Sequence, residues 1–285
     1  MITMKDLRET INWAKEQGLA VGHFNISDSE GFRAVIDEAR ELKVPVIVGV
    51  SEGERDFIGL KEIAALVRVE KDSGFPVFLN ADHTYSVEKA KLAVDAGFDS
   101  VIIDAADKPF EENVRLAREC VAYVKERGLK TLVEAELGFI GQSSKILDKV
   151  PEGVSEETQT KAEDAKRFVE ETGIDLFAPS VGNIHGMVKG GEPRLNIERV
   201  KKIAESVAVP LVLHGGSGNS EEDILGAIKA GISVVHINTE IRVAYKRGVT
   251  AGIGSSEVAP YKFMAEGVKE MRKVIGRYLR LFNKL

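Results

Sequence analysis

A single alternation of apolar and polar positions recurs eight times along the chain. Each time, a segment with helical periodicity ends in Gly or in an X-Pro pair, and a short run rich in β-branched residues follows at once. The runs begin at Gly18, Pro45, Pro76, Gly97, Gly128, Gly173, Pro210 and Gly231. Gly closes a helix in the left-handed conformation at no steric cost, and Pro suits the first position of a strand. The pattern predicts eight strands.

The segments between the strands repeat their apolar residues with the 3.6-residue period of a helix. One of them begins with a capping box predicted at Ser27 and Glu30, and its apolar residues share one face. These residues are Phe32, Val35, Ile36, Ala39 and Leu42. Ser220 and Asp223 predict a similar cap at the start of a later helix. Amphipathic helices of this kind cover a sheet.

The alternation of strands and helices predicts an α/β fold. Strand starts lie roughly 20 to 45 residues apart, which brackets the βαβ unit of about 30 residues. Eight right-handed crossovers close into a (β/α)8 barrel, the TIM barrel, and an open doubly wound sheet is the alternative. The widest interval contains a polar stretch at 142–158, which predicts a long rim loop suited to act as a lid.

The end of the chain exceeds what eight βα units need. An amphipathic stretch from about Val258 to Phe282 predicts an additional C-terminal helix, within an extension of about residues 256–285, that packs on the barrel or on another subunit. A chain of 285 residues with 44% hydrophobic residues can bury one large core. We therefore expect one domain over residues 1–285, and a homodimer or homotetramer is the expected assembly.

Charge and cysteine content narrow the class of partner. The formal net charge is -6 and the basic residues do not run together, so we expect neither a nucleic-acid partner nor an anionic membrane surface. Cys120 is the only cysteine, which excludes an internal disulfide and fits a reducing compartment. No apolar run approaches the roughly 18 residues of a membrane span. We expect a cytoplasmic protein with a small-molecule partner.

Polar residues fall at or just beyond the end of every predicted strand, and all five histidines are among them. In chain order they are His23 and Asn25, Ser51, Asp82 and His83, Asp104, Glu134 and Glu136, His185, His214, and His236 with Asn238. Scattered structural histidines would not gather at one end of a barrel. The carboxyl ends of barrel strands are where barrel enzymes hold their active sites.

Three of the histidines predict a metal site. His83, His185 and His214 come from three different loops, so their side chains can converge. Three imidazoles with nearby carboxylates suit a borderline-soft divalent cation: zinc first, then cobalt, manganese or iron. Such a site keeps a coordination position open for substrate. His23 and His236 lie within strands, and the sequence leaves open whether they touch the site or point into the barrel.

Glycine-rich loops after the last two strands predict a phosphate site. Gly215, Gly216, Ser217 and Gly218 follow the seventh strand, and the segment 238–240 follows the eighth. Glycines let backbone N–H groups approach an anion, helix N-termini add a favourable dipole, and these two loops are the habitual phosphate site of the fold. The stretch 186–191, which includes Lys189, is a candidate to complete this cradle.

These motifs resemble those of the class II, metal-dependent ketose-bisphosphate aldolases, the family of the fructose-1,6-bisphosphate and tagatose-1,6-bisphosphate aldolases. The similarity runs from about Ala20 to Val249. It is carried by Gly-His-Phe-Asn25, Asp82-His83, Ile103-Asp104-Ala105, Glu134-Ala-Glu136-Leu-Gly138, Gly182-Asn-Ile-His185-Gly186, Leu213-His214-Gly-Gly-Ser217-Gly218 and Asn238-Thr239-Glu240.

The resemblance implies a role for each site residue. It implies that His83, His185 and His214 hold the catalytic zinc, and that Asp104 and Glu136 hold a second metal or an alternative metal position. Asp82 is the implied acid/base. The implied contacts to the dihydroxyacetone phosphate half of the substrate are Gly186, Gly215, Gly216, Ser217, His236, Asn238 and Thr239, and the strand-end residues Asn25 and Ser51 are further candidates to bind substrate. In relatives, backbone carbonyls near those glycines also bind a monovalent cation, which is the second implied cofactor.

The implied reaction is the reversible cleavage of a ketose 1,6-bisphosphate to dihydroxyacetone phosphate and glyceraldehyde 3-phosphate. Fructose 1,6-bisphosphate is the first expected substrate, with tagatose 1,6-bisphosphate or another phosphorylated ketose as the alternative. Cleavage leaves an enediolate, whose charge a zinc ion stabilises as a Lewis acid. Asp82 takes the C4 hydroxyl proton as the bond breaks and returns it in condensation.

The sequence departs from the family pattern at two places. Ser143 and Ser144 stand where the family has a pair of acidic residues, one of which is assigned to exchange the C3 proton of dihydroxyacetone phosphate. His236 replaces an asparagine at the end of the eighth strand. Two other classes are therefore kept as alternatives: a metallohydrolase, which would need no phosphate cradle, and a barrel that binds sugar phosphate without catalysis.

Overall fold

The computed structural model describes residues 6–141, 144–189 and 194–285. Eight parallel strands close into a barrel in the order β1-β2-β3-β4-β5-β6-β7-β8, and β8 pairs with β1. The strands are β1 Val21–Asn25, β2 Val46–Val50, β3 Val77–Thr84, β4 Ser100–Ile103, β5 Leu132–Leu137, β6 Leu176–Pro179, β7 Leu211–Leu213 and β8 Ile232–Ile237. The predicted (β/α)8 barrel is confirmed, because every one of these strands begins at or a few residues after a predicted start.

Helices surround the barrel and close its amino-terminal end. They are α1 Leu7–Glu16, α2 Ser29–Leu42, α3 Glu52–Ile58, α4 Leu60–Asp72, α5 Val87–Asp95, α6 Phe110–Glu126, α7 Ala162–Thr172, α8 Ile197–Ser206, α9 Glu221–Ala230, α10 Thr239–Ile253, α11 Pro260–Phe263 and α12 Ala265–Asn283. Within these described ranges, no helix has the length and apolar character that a membrane crossing demands.

The barrel interior has an apolar layer below and a polar layer above. The lower layer packs on Leu7, Ile11 and Ala14 of α1 and consists of Val21, Ile47, Phe78, Leu132, Leu176, Ala178, Val212 and Val234. Successive side chains of a strand point to opposite faces, so the residues two and four positions further on also point inward. On the same strands these residues include His23, Asn25, Asn80, Asp82, Glu134, Glu136, His214 and His236. Strand register therefore carries the polar cluster to the carboxyl end.

One predicted cap is wrong and another is confirmed. Asp28, and not Ser27, caps α2: its backbone is extended and its carboxylate accepts a 2.7 Å hydrogen bond from Gly31 N. A carboxylate there also meets the positive end of the helix dipole, which a serine hydroxyl does not match. Ser220 caps α9 as predicted, by accepting a hydrogen bond from Asp223 N.

The rim loop predicted at 142–158 contains short secondary structure. Ile146–Leu147 pairs in parallel with Met187–Val188 of the loop after β6, and Glu156–Thr158 forms one turn of 3-10 helix. This ribbon joins the loop after β5 to the loop after β6. Gln142 and Ser143 lie outside the described residues, as do Gly190 and Gly191 of the predicted phosphate cradle.

The predicted C-terminal helix is present and packs on the barrel. α12 lies against α10 and α2, and its buried face is formed by Met271, Ile275, Tyr278, Leu279 and Phe282. Ala20 N donates to Phe282 O at 3.2 Å, immediately before β1. Tyr278 also donates from its hydroxyl to Glu240 Oε1 at 2.5 Å, in the first turn of α10. The helix therefore reaches the loop region that follows β8.

Leu279→Ala tests how much α12 contributes to stability. Leu279 is 0% exposed, so truncating it should lower the free energy of unfolding by about 2–5 kcal/mol. Leu285→Ala is the matched control, since that side chain is 66% exposed and its loss should change stability by less than about 0.5 kcal/mol. Urea denaturation followed by circular dichroism measures both. Equal effects in the two variants would contradict the packing described for α12.

Candidate active site

Three imidazoles from separate parts of the chain meet at the barrel mouth. His83 belongs to the end of β3, His185 lies in the loop after β6, and His214 follows β7. One nitrogen from each ring lies within 4.8 Å of the others, and the His83 ring meets the other two edge-on. The backbone of His83 has φ 38°, a left-handed conformation that non-glycine residues rarely adopt. A shift in the β3–β4 register accompanies it and turns His83 toward the mouth beside Asp82.

Each of two rings has one nitrogen held from behind and the other directed into the cluster. His185 Nδ1 donates to Gly141 O at 2.7 Å, and His214 Nε2 donates to Glu134 Oε1 at 2.8 Å. When the ring is neutral, each bond selects the tautomer whose other nitrogen carries a lone pair. His185 Nε2 and His214 Nδ1 are buried and form no hydrogen bond in the described part of the chain. This is how metal-ligating imidazoles are held, so these residues fit a divalent cation.

Two carboxylates extend the same cluster. Asp104 Oδ2 lies 2.8 Å from His83 Nδ1, and Glu136 Oε1 lies 3.3 Å from the same nitrogen. Glu136 Oε1 is also 3.1 Å from His214 Nδ1 without the alignment of a hydrogen bond, and it is buried. Glu136 Oε1 and His214 Nδ1 are close but not aligned for a hydrogen bond, which indicates that their lone pairs face a common point. Asp104, Glu136 and His83 therefore form a second group with the spacing of a cation site.

Burial and neighbouring charge shift the pKa values of these groups in opposite directions. Burial, followed by the charge of His83, lowers the pKa of His185 to about 4. Burial also opposes a charge on His214, but Glu136 and Glu134 outweigh it and raise the pKa of that imidazole to about 10. Burial raises the pKa of the Glu134 carboxyl. The carboxylates thus create a strong local demand for positive charge, which a proton or a cation can meet.

Asp82 lies beside the three imidazoles and is held at one oxygen only. Its side chain is buried, and Asn25 Nδ2 donates to Oδ2 at 2.8 Å. Oδ1 makes no hydrogen bond among the described residues and lies 3.6 Å from His236 Nδ1 and 3.8 Å from His83 Nε2. Burial would raise the pKa of this carboxyl, but the neighbouring His83 and His236 hold it well below its usual range. Asp82 is therefore an anion with one oxygen free to accept a proton.

His23, His236 and His214 form a column of stacked rings. The His23 and His236 centroids are 3.5 Å apart with nearly parallel planes, and the His236 and His214 centroids are 4.1 Å apart. Burial, followed by the charge of its imidazole neighbours, lowers the pKa of His236, and burial lowers that of His23 to about 4. His236 therefore touches the site, whereas His23 lies beneath it and contacts Asn80 Oδ1 at 3.1 Å.

Residues with backbone N–H donors line the same cavity. Gly186, Gly215, Ser217 and Thr239 all face it, and the structure records no acceptor for their N–H groups among the residues it describes. Gly215 has φ +58° and packs so closely on Ile184 O that an added Cβ would lie 2.0 Å away. Thr239 begins α10, so the helix dipole also favours an anion here. The arrangement is suited to a phosphate group.

Some predicted contacts have their hydrogen-bonding groups engaged elsewhere. Gly216 N donates to His236 O at 3.0 Å, which places this residue behind the cavity wall. Ser51 N donates to Glu54 Oε2 at 2.7 Å at the start of α3, and Ser51 is not among the residues that line the cavity. Lys189 pairs with Asp148 at 2.7 Å on the surface ribbon.

The cavity collects most of the residues expected from the sequence. Its lining is Asn25, Asp82, His83, Ser144, His185, Gly186, His214, Gly215, Ser217, His236, Asn238 and Thr239. Sequence reasoning did not assign a role to Glu54 or Glu134, both of which hold site residues from behind. A signal for Glu54 was available, because Ser51 and Glu54 have the spacing of a capping box.

A closed barrel whose mouth holds three converging imidazoles, a buried carboxylate and a glycine-rich loop defines an enzyme of the TIM-barrel class with side chains that could hold a metal ion. The family model described as "Fructose-bisphosphate aldolase class-II" matches residues 5–285, and the chain belongs to this family. It is therefore a lyase of the aldolase type.

Relatives and solved structures agree with this assignment. The chain is 41% identical over 252 residues to a fructose-bisphosphate aldolase of Geobacillus stearothermophilus, covering 87% of this chain and 85% of the relative. It is 36% identical to one of Staphylococcus epidermidis, with 97% and 96% covered. The crystal structure of the YdjI aldolase from Escherichia coli K12 superposes with a TM-score of 0.84 at 33% identity, over 97% of this chain and 96% of that one.

His185→Ala tests the cation site. Removing one of three imidazoles should weaken the binding of Zn²⁺ or Co²⁺ by about 100-fold or more. Asp82→Asn is the control. Its side chain lies beside the three rings but is not one of the proposed ligands, so its replacement should leave the affinity for the metal ion nearly unchanged. Competition with a chromogenic chelator measures both. An unaltered affinity in His185→Ala would exclude this ring as a ligand.

Proposed function

We propose that this protein is a zinc-dependent aldolase that reversibly cleaves fructose 1,6-bisphosphate to dihydroxyacetone phosphate and glyceraldehyde 3-phosphate. One observation carries the proposal: among the residues that the structure describes, two imidazole nitrogens without a hydrogen bond, those of His185 and His214, line the same cavity as Asp82 and as backbone N–H groups with no recorded acceptor. A phosphorylated ketose needs a site for its reacting carbon atoms and a site for its phosphate in the same cavity. The relatives named above carry the same activity in their names.

The proposed zinc ligands are His83, His185 and His214, with Asp104 and Glu136 as a second or alternative cation position. Zinc bound there would supply Lewis-acid stabilisation of the enediolate charge that develops when the C3–C4 bond breaks. Cobalt, manganese or iron could take the same nitrogen and oxygen ligands. Glu134 and Gly141 would keep the rings oriented, since their hydrogen bonds already select the tautomers of His214 and His185.

Asp82 is the proposed acid/base. Asp82 lines the cavity, and its Oδ1 makes no hydrogen bond to any described residue, so it can accept the C4 hydroxyl proton as the aldehyde forms and return that proton in condensation. The interaction with His83 and His236 keeps the carboxylate ionised before the reaction. Because Asn25 holds the other oxygen, the basic oxygen stays on the cavity side.

The phosphate of the dihydroxyacetone half is proposed to bind the backbone N–H groups of Gly186, Gly215, Ser217 and Thr239. This anchor would place C2 and C3 near the imidazoles and C4 near Asp82, and correct placement of this kind accounts for a large part of catalysis.

We also propose a monovalent cation near these glycines and a homodimer or homotetramer as the assembly. Light scattering measures the assembly.

A coupled assay tests the proposed reaction. Zinc-loaded protein should release triose phosphates from fructose 1,6-bisphosphate, and EDTA should abolish the release, because the enediolate charge would lose its stabilising cation. Tagatose 1,6-bisphosphate is assayed in parallel for the preference at C4. Release of inorganic phosphate would indicate a hydrolase, and binding without turnover would indicate a non-catalytic barrel. Activity that survives EDTA and is trapped by borohydride would replace the proposal with a lysine Schiff base.

Asp82→Asn tests the acid/base. The amide keeps the shape of the side chain but cannot accept the proton, so kcat for cleavage should fall about 10²- to 10⁴-fold. Zinc content, measured on the same sample by mass spectrometry, should be unchanged. A variant that retains zinc and near-normal kcat would assign the proton transfer to a different group.

A further inference from the structure

The side chain of Glu54 lies behind the cavity and is not used in the reaction proposed above. We propose that Glu54 is a positioning residue that holds Asp82 in its working orientation through the amide of Asn25. The inference rests on the proposed function, because it concerns the acid/base of that reaction. It adds a residue that acts at a distance from the substrate.

Glu54 is buried in the first turn of α3 and is fully engaged. Its Oε2 accepts from Asn25 Nδ2 at 2.9 Å and from Ser51 N at 2.7 Å. Its Oε1 accepts from the guanidinium of Arg242 and, at 3.4 Å, from Ser27 Oγ. Only 5% of the residue is exposed. A buried carboxylate with this many donors is fixed in position.

The amide of Asn25 joins Glu54 to Asp82. Its nitrogen donates to Glu54 Oε2 at 2.9 Å and to Asp82 Oδ2 at 2.8 Å. Both acceptors are carboxylates, which cannot donate, so the orientation of the amide is determined by its two partners. With the nitrogen held between them, the amide cannot flip and present its oxygen to Asp82. Asp82 Oδ2 is therefore occupied and Oδ1 is left for the cavity.

Only a carboxylate at position 54 satisfies all of its neighbours. Donors surround both oxygens: Asn25 and Ser51 on one side, Arg242 on the other. A glutamine has the same shape, but its NH₂ group must face one set of donors whichever way the amide turns. Facing Asn25, it would release that amide to flip. Facing Arg242, it would weaken the bond that anchors the side chain.

Two arginines offset the charge of this buried pair of carboxylates. Arg242 of α10 pairs with Glu54 from the outer side, and its side chain is 40% exposed. Arg55 is buried beside them and donates to the backbone carbonyls of Val50 and Asp82, at 2.6 and 3.0 Å. Arg55 therefore fixes the backbone of Asp82, and the Glu54–Asn25 pair fixes its side chain.

The chemistry separates this role from a general structural one. Asp82 moves the C4 hydroxyl proton, and this transfer takes place only when the C3–C4 bond is broken or formed. Deprotonation of dihydroxyacetone phosphate at its hydroxymethyl carbon involves no C4 hydroxyl, so it does not use the proton transfer proposed for Asp82. A residue that only positions Asp82 should therefore affect the rate of C3–C4 cleavage and leave the rate of this deprotonation unchanged.

Glu54→Gln in the zinc-loaded protein tests the inference. We expect kcat for fructose 1,6-bisphosphate cleavage to fall about 10- to 100-fold, because misplacement of a catalytic group by about 1 Å has an effect of this size. Deuterium exchange into dihydroxyacetone phosphate in D₂O, followed by ¹H NMR, should stay within about twofold of the wild-type rate. A parallel loss of cleavage and exchange, or no loss of cleavage, would overturn the inference.

Glu52→Gln is the matched control. Glu52 is in the same helical turn, but its carboxylate accepts from Tyr85 N and Lys89 Nζ and does not contact Asn25. Both rates should be unchanged in this variant, and a selective loss of cleavage in it would contradict the assignment to Glu54. If wild-type protein showed neither cleavage nor exchange, the proposed function itself would fail.

Arg242→Met provides a second variant if Glu54→Gln does not fold. Arg242 is partly exposed, and its loss removes the outer anchor of Glu54 while leaving Asn25 and Asp82 in place. The same selective fall in cleavage, smaller in size, is expected. Equal rates of cleavage in Arg242→Met and wild type would count against a positioning role for Glu54.

Discussion

The barrel mouth depends on the burial of several carboxylates and imidazoles in one small volume. Asp82, Glu134, Glu136, His214 and His236 are each at most 6% exposed. An isolated buried charge costs several kcal/mol, so each of these groups must be paired or bonded to a partner. Fixed hydrogen bonds from behind leave the remaining lone pairs directed at a common point. The demand for a cation therefore arises from the same constraint that orients the side chains.

The site contains two sets of contacts: one holds the side chain of Asp82, and the other forms the predicted phosphate site. On the side of β1 and β3, Glu54 and Asn25 orient Asp82. On the side of β7 and β8, residues at the start of α10 and in the preceding glycine loop line the cavity, and their N–H groups have no recorded acceptor within the described ranges. Helix α10 touches both sets, since Arg242 pairs with Glu54 and Glu240 Oε1 accepts from Gly218 N at 3.0 Å. One helix thus connects the proposed acid/base, Asp82, to the predicted phosphate site.

Local chemistry explains which features could be predicted from the sequence. The eight strand starts follow Gly or Pro, whose backbone preferences act within a few residues. His83, His185 and His214 could be placed at strand ends by counting from those starts. The cap of α2 could not be chosen reliably, because Ser27 and Asp28 are adjacent and the better acceptor of the Gly31 N–H depends on the final backbone. Side chains such as Glu54 were missed because their partners are distant in sequence.

The sequence by itself determined the barrel, the end of the barrel that carries the chemistry, and the residue types available there, because period and strand direction are local properties of the chain. Tertiary structure decided which nitrogen of each ring faces the cavity and which oxygen of Asp82 is free. It also decided that His236 stacks between His23 and His214. These outcomes depend on contacts between segments far apart in the chain, such as Asn25 with Asp82 and His214 with Glu134, and they exist only when the barrel is closed.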